Sequence, residues 1–194
     1  LRHFQEKSLK PFLALFILAC GLPGVISGAN LALSFPDNYA LIFLGILTFS
    51  LGFYSSRQSQ LGTKDLSINF TRKSLFIGGV VLFLLGFLNG SFSSGTGLFV
   101  TLWLVRWFGL SYTKAVGYTL ILVGLFWNGA GAFVLGFNGQ IYWSWLPMLI
   151  LGSLTGGYVG AHFSLLKGNK FVKSIFEFIS VLMGISLVSR GFLS

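Results

Sequence analysis

The sequence predicts an all-α polytopic membrane protein: an inverted-repeat helical bundle of about five full spans plus one broken, re-entrant helical hairpin. Three observations carry that prediction. The composition is too apolar for a soluble core, the Lys and Arg residues are distributed so that one segment must turn back, and two distant stretches resemble each other. Of the 194 residues, 54% are hydrophobic and 9% charged, and the mean hydropathy is +0.83, well beyond what one soluble domain can hide. Thirteen Lys and Arg against four acids would suggest a nucleic-acid partner in a soluble chain. Here the basic residues sit between apolar runs, where they orient a chain in a lipid bilayer, so no nucleic acid is implied. A single cysteine, Cys20, permits no internal disulfide and matches no metal-ligand spacing. The basic start Leu1 to Lys10 leads into 25 uncharged residues, too long for the apolar core of a signal peptide.

Uncharged runs cover Pro11 to Phe35, Asn38 to Ser56, Ser74 to Val105 and Ala115 to Leu166, with a weaker run from Ser174 to Ser189. A spanning helix takes about 20 residues, so the first two runs are one span each. The 52-residue fourth run divides at the turn-forming "GFNGQ", residues 136 to 140, into helices over 115–135 and 143–166. Lys173 to Phe192 makes the last span, with Glu177 four residues after Lys173 as an interfacial ion pair.

The third run holds 32 uncharged residues, too many for one crossing of a core about 30 Å thick and too few for two full crossings and a turn. Charge arbitrates. If residues 74 to 112 cross once, the two faces collect eight and five basic residues. If the segment enters and returns, one face collects Arg2, Lys7, Lys10, Arg57, Lys64, Arg72, Lys73, Arg106, Lys114, Lys167, Lys170 and Lys173, and the other only Arg190. The second division fits the excess of positive charge on cytoplasmic loops far better, so residues 74 to 112 read as a hairpin with both ends cytoplasmic. Its turn is "GSFSSGTG", residues 90 to 97.

Sliding the chain by 136 positions superposes Ser8 on Ser144, Pro11 on Pro147, Leu13 on Leu149, Leu15 on Leu151, Leu18 on Leu154, Gly21 on Gly157 and Gly24 on Gly160. The shared Pro and the two glycines argue for duplication. With the hairpin counted as no net crossing, the copies run in opposite directions, the inverted repeat of many secondary transporters. Residues 1–73 then end a first repeat and 74–194 form the second. The offset puts a first-copy partner of Ser74 some 62 residues before Leu1, so a hairpin and a helix are expected upstream.

Helical backbone that breaks inside a membrane must have its N–H and C=O groups satisfied by protein, water or ligand. The helix resuming near Gly97 to Phe99 offers free N–H groups and a positive dipole end, which suit an anion without a buried cation. The hydroxyls of Ser91, Ser93, Ser94 and Thr96 add donors, Gly95 and Gly97 allow close approach, and Asn89 stands just before the turn. A Gly/Ser kink that merely permits tight packing is the alternative. Asn128 needs a partner in mid-membrane, either a ligand or another helix. Gly117, Gly124 and Gly131 make a stripe facing the hairpin, and Gly152, Gly156 and Gly160 a close-approach ridge. Arg106 and Lys114 bracket the inner mouth as topology anchors or anion attractors, and His162 lies near the basic face as an idle or proton-coupling group.

"GFLNGSFSSGTGLFVTLWLVRWFGLSYTKAVGYT", residues 86 to 119, resembles the second-repeat signature of the sulfite exporter TauE/SafE family. Gly86, Gly90, Gly95, Gly97, Ala115 and Val116 match. Ser93 and Thr96 replace expected glycines, Leu102 stands where a proline is usual, and "AVGYT" replaces A-V-A-T-S. The resemblance covers about three quarters of the family's usual length, beginning near its third helix. It implies a secondary transporter or exporter of small anions such as sulfite, sulfonates or sulfoacetate, multi-pass in a bacterial inner membrane. It also places Tyr118 and Thr119 at signature positions, as binding or entrance residues. The expected substrate-binding set is Asn89, Ser91, Ser93, Ser94, Gly95, Thr96, Gly97, Tyr118, Thr119 and Asn128. The competing reading is a non-transporting assembly subunit. An enzyme is disfavoured, since the sequence holds no paired carboxylates, His/Cys cluster or nucleophile with its base, hence no catalytic residue, metal or cofactor. Partners beyond substrate and lipid are open between a homo-oligomer and a larger membrane complex.

Overall fold

In the computed structural model residues 11–32, 37–65, 71–92, 96–138 and 143–193 are described, and every regular element among them is helical. The elements are α1 (Pro11–Ala32), α2 (Asp37–Arg57), α3 (Arg72–Phe92) and α4 (Thr96–Trp107). A continuous rod follows, made of α5 (Tyr112–Tyr118), a π-helical segment (Thr119–Trp127) and α6 (Asn128–Asn138). A 3₁₀ turn (Trp143–Trp145) then leads into α7 (Leu146–Leu193). Gly168 splits α7 into two arms with φ 76° and ψ −175°, a conformation essentially restricted to glycine. The second arm therefore begins a turn before Lys173, and Glu177 sits two turns inside it. Pro11–Leu31, Arg72–Phe92, Tyr112–Phe137 and Leu146–Phe192 are long and apolar enough to cross a membrane. Large apolar side chains stand out on their outer faces, Phe76, Phe133 and Met148 among them, as suits a lipid environment.

The chain reverses between α3 and α4. Trp107 Nε1 donates to the Ser74 carbonyl at 3.1 Å, so the last residue of α4 meets the first turn of α3. Phe108 packs on Gly78 beside it. The two arms are unequal: the 21 residues of α3 reach about 31 Å and the 12 residues of α4 about 18 Å. The short arm is also the interior one. Thr96, Phe99, Val100, Thr101, Leu102, Leu104 and Val105 of α4 are all buried, forming the centre of a core to which Leu13, Ile17, Leu82, Tyr112 and Trp127 contribute.

Hydrogen bonds draw the other connections to the same end as Ser74 and Trp107. Arg106 Nε donates to Tyr54 Oη at 3.0 Å, and Thr113 N to Asn169 Oδ1 at 3.1 Å. Asn169 Nδ2 donates to Thr63 O at 3.0 Å, and Lys173 Nζ to Gln58 O at 2.8 Å. Asp65 accepts from Ser111 N at 2.8 Å and pairs with Lys114. Partial burial pushes its carboxyl up, but the bonds from Lys114 and Ser111 outweigh that and hold it below the usual carboxylate range. Arg57, Lys64, Arg72, Lys73, Arg106, Lys114, Lys170 and Lys173 thus crowd one end. Arg190 lies toward the other, two residues beyond Val188, which packs on Gly45 far up α2.

Glycine sets how closely α1 and α3 approach. They run parallel, and a Cβ at Gly24 would lie 2.2 Å from Phe83 O, at Gly28 2.0 Å from Phe87 O, at Gly86 2.3 Å from Gly21 O and at Gly90 2.0 Å from Val25 O. Lipid gives no hydrophobic drive between helices, so this backbone contact is what van der Waals association requires. The antiparallel pair of α2 and the second arm of α7 repeats the device at Gly52 and Gly184.

Two expected glycine contacts are not formed. A Cβ at Gly117 would meet nothing within 4 Å, at Gly124 only Thr119 O at 3.8 Å, and at Gly131 Val25 of α1 rather than the hairpin. The wider π turns shift the helix face, so positions seven apart no longer share one side. Among the described residues, nothing lies within 4 Å of a Cβ at Gly152, Gly156 or Gly160 either, so that ridge approaches no described neighbour.

A Gly90→Ala variant should lose about 3 kcal/mol, because the new methyl meets backbone that cannot yield, whereas Gly152→Ala should change stability by less than about 0.5 kcal/mol. Thermal unfolding of both in detergent checks the contrast.

Candidate substrate-binding site

The end of α3 and the start of α4 meet inside the bundle, and the sequence places polar residues on both sides of that break. Asn89 and Thr96 are 2% and 1% exposed. Thr96 Oγ1 donates to Asn89 Oδ1, and Asn89 Nδ2 donates to Asn128 Oδ1 at 3.0 Å. A hydroxyl and two amides from α4, α3 and α6 so form one chain of hydrogen bonds. Asn128 opens α6 where the π segment ends. Its Nδ2 has no partner among the described residues, and the residue is exposed at the edge of the bundle. It is therefore the donor of this cluster that remains free. Ser91 turns away, its Oγ donating to Gly28 O at 3.1 Å across the α1–α3 contact.

On the other side of α4 lies a cavity of about 690 Å³ between Gly97, Leu98 and Thr101 of α4, Val116, Thr119 and Leu120 of the rod, and both arms of α7. Its wall is apolar except at the hydroxyls of Thr101, Thr119 and Ser164. Thr101 and Thr119 hydroxyls are 2.9 Å apart, and each also reaches its own helix, at Gly97 O and Ala115 O. Two hydroxyl protons face three such contacts, so neither hydroxyl has a proton to spare for the cavity.

Of the ten residues read from sequence, Asn89, Thr96 and Asn128 are thus joined in one cluster. Gly97 and Thr119 line the adjacent cavity. Ser91 serves helix packing, and Tyr118 is buried at 2% exposure. Ser93, Ser94 and Gly95 lie outside the described residues. Asn128 meets another helix, one of the two partners open to it. Arg106 and Lys114 are engaged with Tyr54 and Asp65, and His162 stacks on Tyr158 with ring centroids 6.3 Å apart. Sequence reasoning missed Thr101, whose only signal is a hydroxyl one turn after Gly97. It also missed the π segment, which "TLILVGLFW" does not distinguish from an ordinary apolar helix. Among the described residues no group of three His, Cys, Asp or Glu could hold a metal ion.

The profile of the family described as Sulfite exporter TauE/SafE matches residues 1–187. The chain belongs to this family. It is similar to a "Probable membrane transporter protein ORF9" of Sinorhizobium sp, 30% identical over 168 residues, 86% of this chain and 62% of the relative. It is also similar to "Probable membrane transporter protein YfcA" of Escherichia coli K12, 25% identical over 173 residues, 88% and 62%. "Probable membrane transporter protein YdhB" of Bacillus subtilis is 25% identical over 194 residues, 96% and 76%. The chain spans 62% of the length of the first two. No solved structure matches this TauE/SafE chain.

Removing the Asn128 side chain strands Asn89 Nδ2, and Asn128→Ala should lower stability by about 1–2 kcal/mol. Asn128→Asp keeps the acceptor and should recover most of it, as read by thermal unfolding in detergent.

Proposed function

We propose that this chain carries the substrate route of a membrane transporter for small anions, sulfur-containing ones such as sulfite and sulfonates. The anion rests at the break between α3 and α4. One observation carries the reading: the residues flanking the break, Asn89 and Thr96, are buried in a cluster of two amides and a hydroxyl, next to a cavity of about 690 Å³. The N-terminal N–H groups of α4 and the Asn128 Nδ2 supply donors, Thr101 and Thr119 border the space, and the hydroxyls of Ser93 and Ser94, between the two helices in sequence, are the further donors expected. A spread of neutral donors suits an anion that must leave again, which a buried Lys or Arg would retain.

In this reading α3 and α4 form a re-entrant hairpin with both ends on the cytoplasmic face of a bacterial inner membrane. The Ser74–Trp107 contact and the crowding of basic side chains at that end support it. Five full spans surround the hairpin, residues 1–73 close one repeat, 74–194 form the second, and the repeats move against each other. Membership of TauE/SafE and relatives named membrane transporters support the transport class.

Binding of sulfite, sulfate, taurine and sulfoacetate to purified protein tests the site. At least one should bind, and Thr96→Val combined with Asn128→Leu should weaken it about 10- to 100-fold through loss of the Asn128 donor and of the Thr96–Asn89 bond that orients the cluster. Equal affinity in the variant removes the break from the site. No binding of any of the four favours an assembly subunit.

A further inference from the structure

A smaller cavity of about 170 Å³ lies between α2, α3 and α4 near the basic end of the bundle. Its deeper wall is apolar, formed by Val81 and Leu85 of α3 and by Phe99 and Leu102 of α4. Phe99 stands seven residues before Arg106, so the slot follows α4 for about 10 Å into the bundle. It faces away from the anion cavity, since Phe99, Leu102, Trp103 and Arg106 take one side of α4 and Gly97, Leu98 and Thr101 the other. The substrate route leaves this slot unused.

The mouth of the slot is polar, made by Tyr54, Trp103 and Arg106. A guanidinium carries five N–H donors. Arg106 Nε donates to Tyr54 Oη at 3.0 Å, and the four N–H of its two Nη groups have no partner among the described residues. Arg106 and Tyr54 are both exposed, and Tyr54 keeps its own hydroxyl proton. One turn deeper, Trp103 Nε1 is buried with no acceptor among the described residues. The Trp103 ring stacks on Trp107 with centroids 4.9 Å apart, and Trp107 is held at the Ser74 carbonyl, which keeps Lys73 at the same end.

Charge, depth and width together select the occupant. Cationic donors at the mouth call for an anionic head, the lone indole N–H below them for a neutral acceptor, and the apolar wall beneath for hydrocarbon. A glycerophospholipid presents these groups in that order, as phosphate, ester carbonyls and acyl chain. An inorganic anion would satisfy Arg106 and leave the indole and the slot without a partner. A helix about 10 Å across is too wide for 170 Å³. Tyr and Trp side chains at helix ends are at home where headgroups meet hydrocarbon, and basic pockets between spanning helices take anionic headgroups.

We propose that this slot binds one anionic phospholipid from the leaflet at the basic end. The phosphate accepts from the Arg106 Nη groups and from Tyr54 Oη, an ester carbonyl accepts from Trp103 Nε1, and the first methylenes of one acyl chain lie between Val81, Leu85, Phe99 and Leu102. Arginine suits this role better than lysine, because its planar fork spans two phosphate oxygens while Nε stays with Tyr54. The bound lipid fastens the end of α2 to both arms of the hairpin. The site needs only a bilayer and stands whether or not the chain carries an anion.

Native mass spectrometry of the full chain in detergent, titrated with phosphatidylglycerol or with phosphatidylcholine of the same chain length, tests the site. The unsubstituted protein should hold one phosphatidylglycerol at least about fivefold more tightly than phosphatidylcholine. Arg106→Gln should bring that ratio below about twofold. Val81→Phe fills the slot and leaves Arg106 in place, and should weaken phosphatidylglycerol about fivefold or more. Lys170→Gln, exposed on α7, should keep the unsubstituted ratio within about twofold. Glycerol 1-phosphate, the head without the chains, should not displace the lipid at about a hundredfold excess. Equal affinity for the two lipids overturns the site, as does an unchanged ratio in Arg106→Gln or an equal loss in Lys170→Gln, which would mean diffuse attraction to the whole basic end. Displacement by glycerol 1-phosphate, or full affinity in Val81→Phe, removes the acyl slot and overturns it too. If Arg106→Gln does not fold, as read by thermal unfolding, Val81→Phe and Lys170→Gln decide.

Discussion

Backbone that leaves the helical path inside a bilayer loses hydrogen bonds that lipid cannot replace, and this constraint organises the molecule around the short helix α4. A simple crossing would have been a straight helix of about 20 residues with no break. Instead α4 is wrapped by α2, α3 and the rod, with most of its side chains buried, and the indole of Trp107 fastens its far end to the start of α3. A break is tolerable where protein encloses its flanks, as it does here at Asn89, Gly90 and Thr96. The same enclosure that makes it tolerable also makes it useful, since polar groups placed there are shielded from water and lipid alike and act at short range with little screening.

Enclosure of this kind depends on helices lying unusually close. The parallel α1–α3 pair achieves this with glycines facing carbonyls rather than with side-chain interdigitation, and Ser91 adds a hydroxyl bond across the seam. The closeness pins α3, so the hairpin's outer arm acts as a fixed wall. The opposite wall differs. Behind the cavity, the first arm of α7 presents Gly156, Gly157 and Gly160 with open space beside them, and the rod is relaxed by nine residues of π-helix. One side of the break is rigid and the other has room, which is the asymmetry that alternating exposure of a bound anion requires.

Much of this was legible in the sequence because the bilayer imposes so few options. Apolar run lengths located the main helices, and the Ser74–Trp107 contact shows that the chain doubles back between α3 and α4, while the return to one membrane face belongs to the proposal. Asn89, Thr96 and Asn128 were legible because polar groups amid hydrocarbon must find partners. What stayed hidden depends on angles around a helix. The π segment carries no compositional mark, and it turned the Gly117, Gly124 and Gly131 stripe away from the hairpin. Thr101 gained its role only when the hairpin brought it to Thr119. Lys173 and Glu177 read as an interfacial pair at the start of a helix. The positive φ of Gly168 starts the second arm earlier, which puts Lys173 one turn and Glu177 two turns inside it, against α2.

The central claim is that the polypeptide between Lys73 and Lys114 comes back to the surface it left. Single cysteines at Lys73 and at Lys114, in a chain with Cys20 replaced by Ala, can be treated in sealed inside-out vesicles with a membrane-impermeant maleimide. Both positions should react from the same side. Reaction of one from outside and the other only after the vesicles are opened would contradict the account.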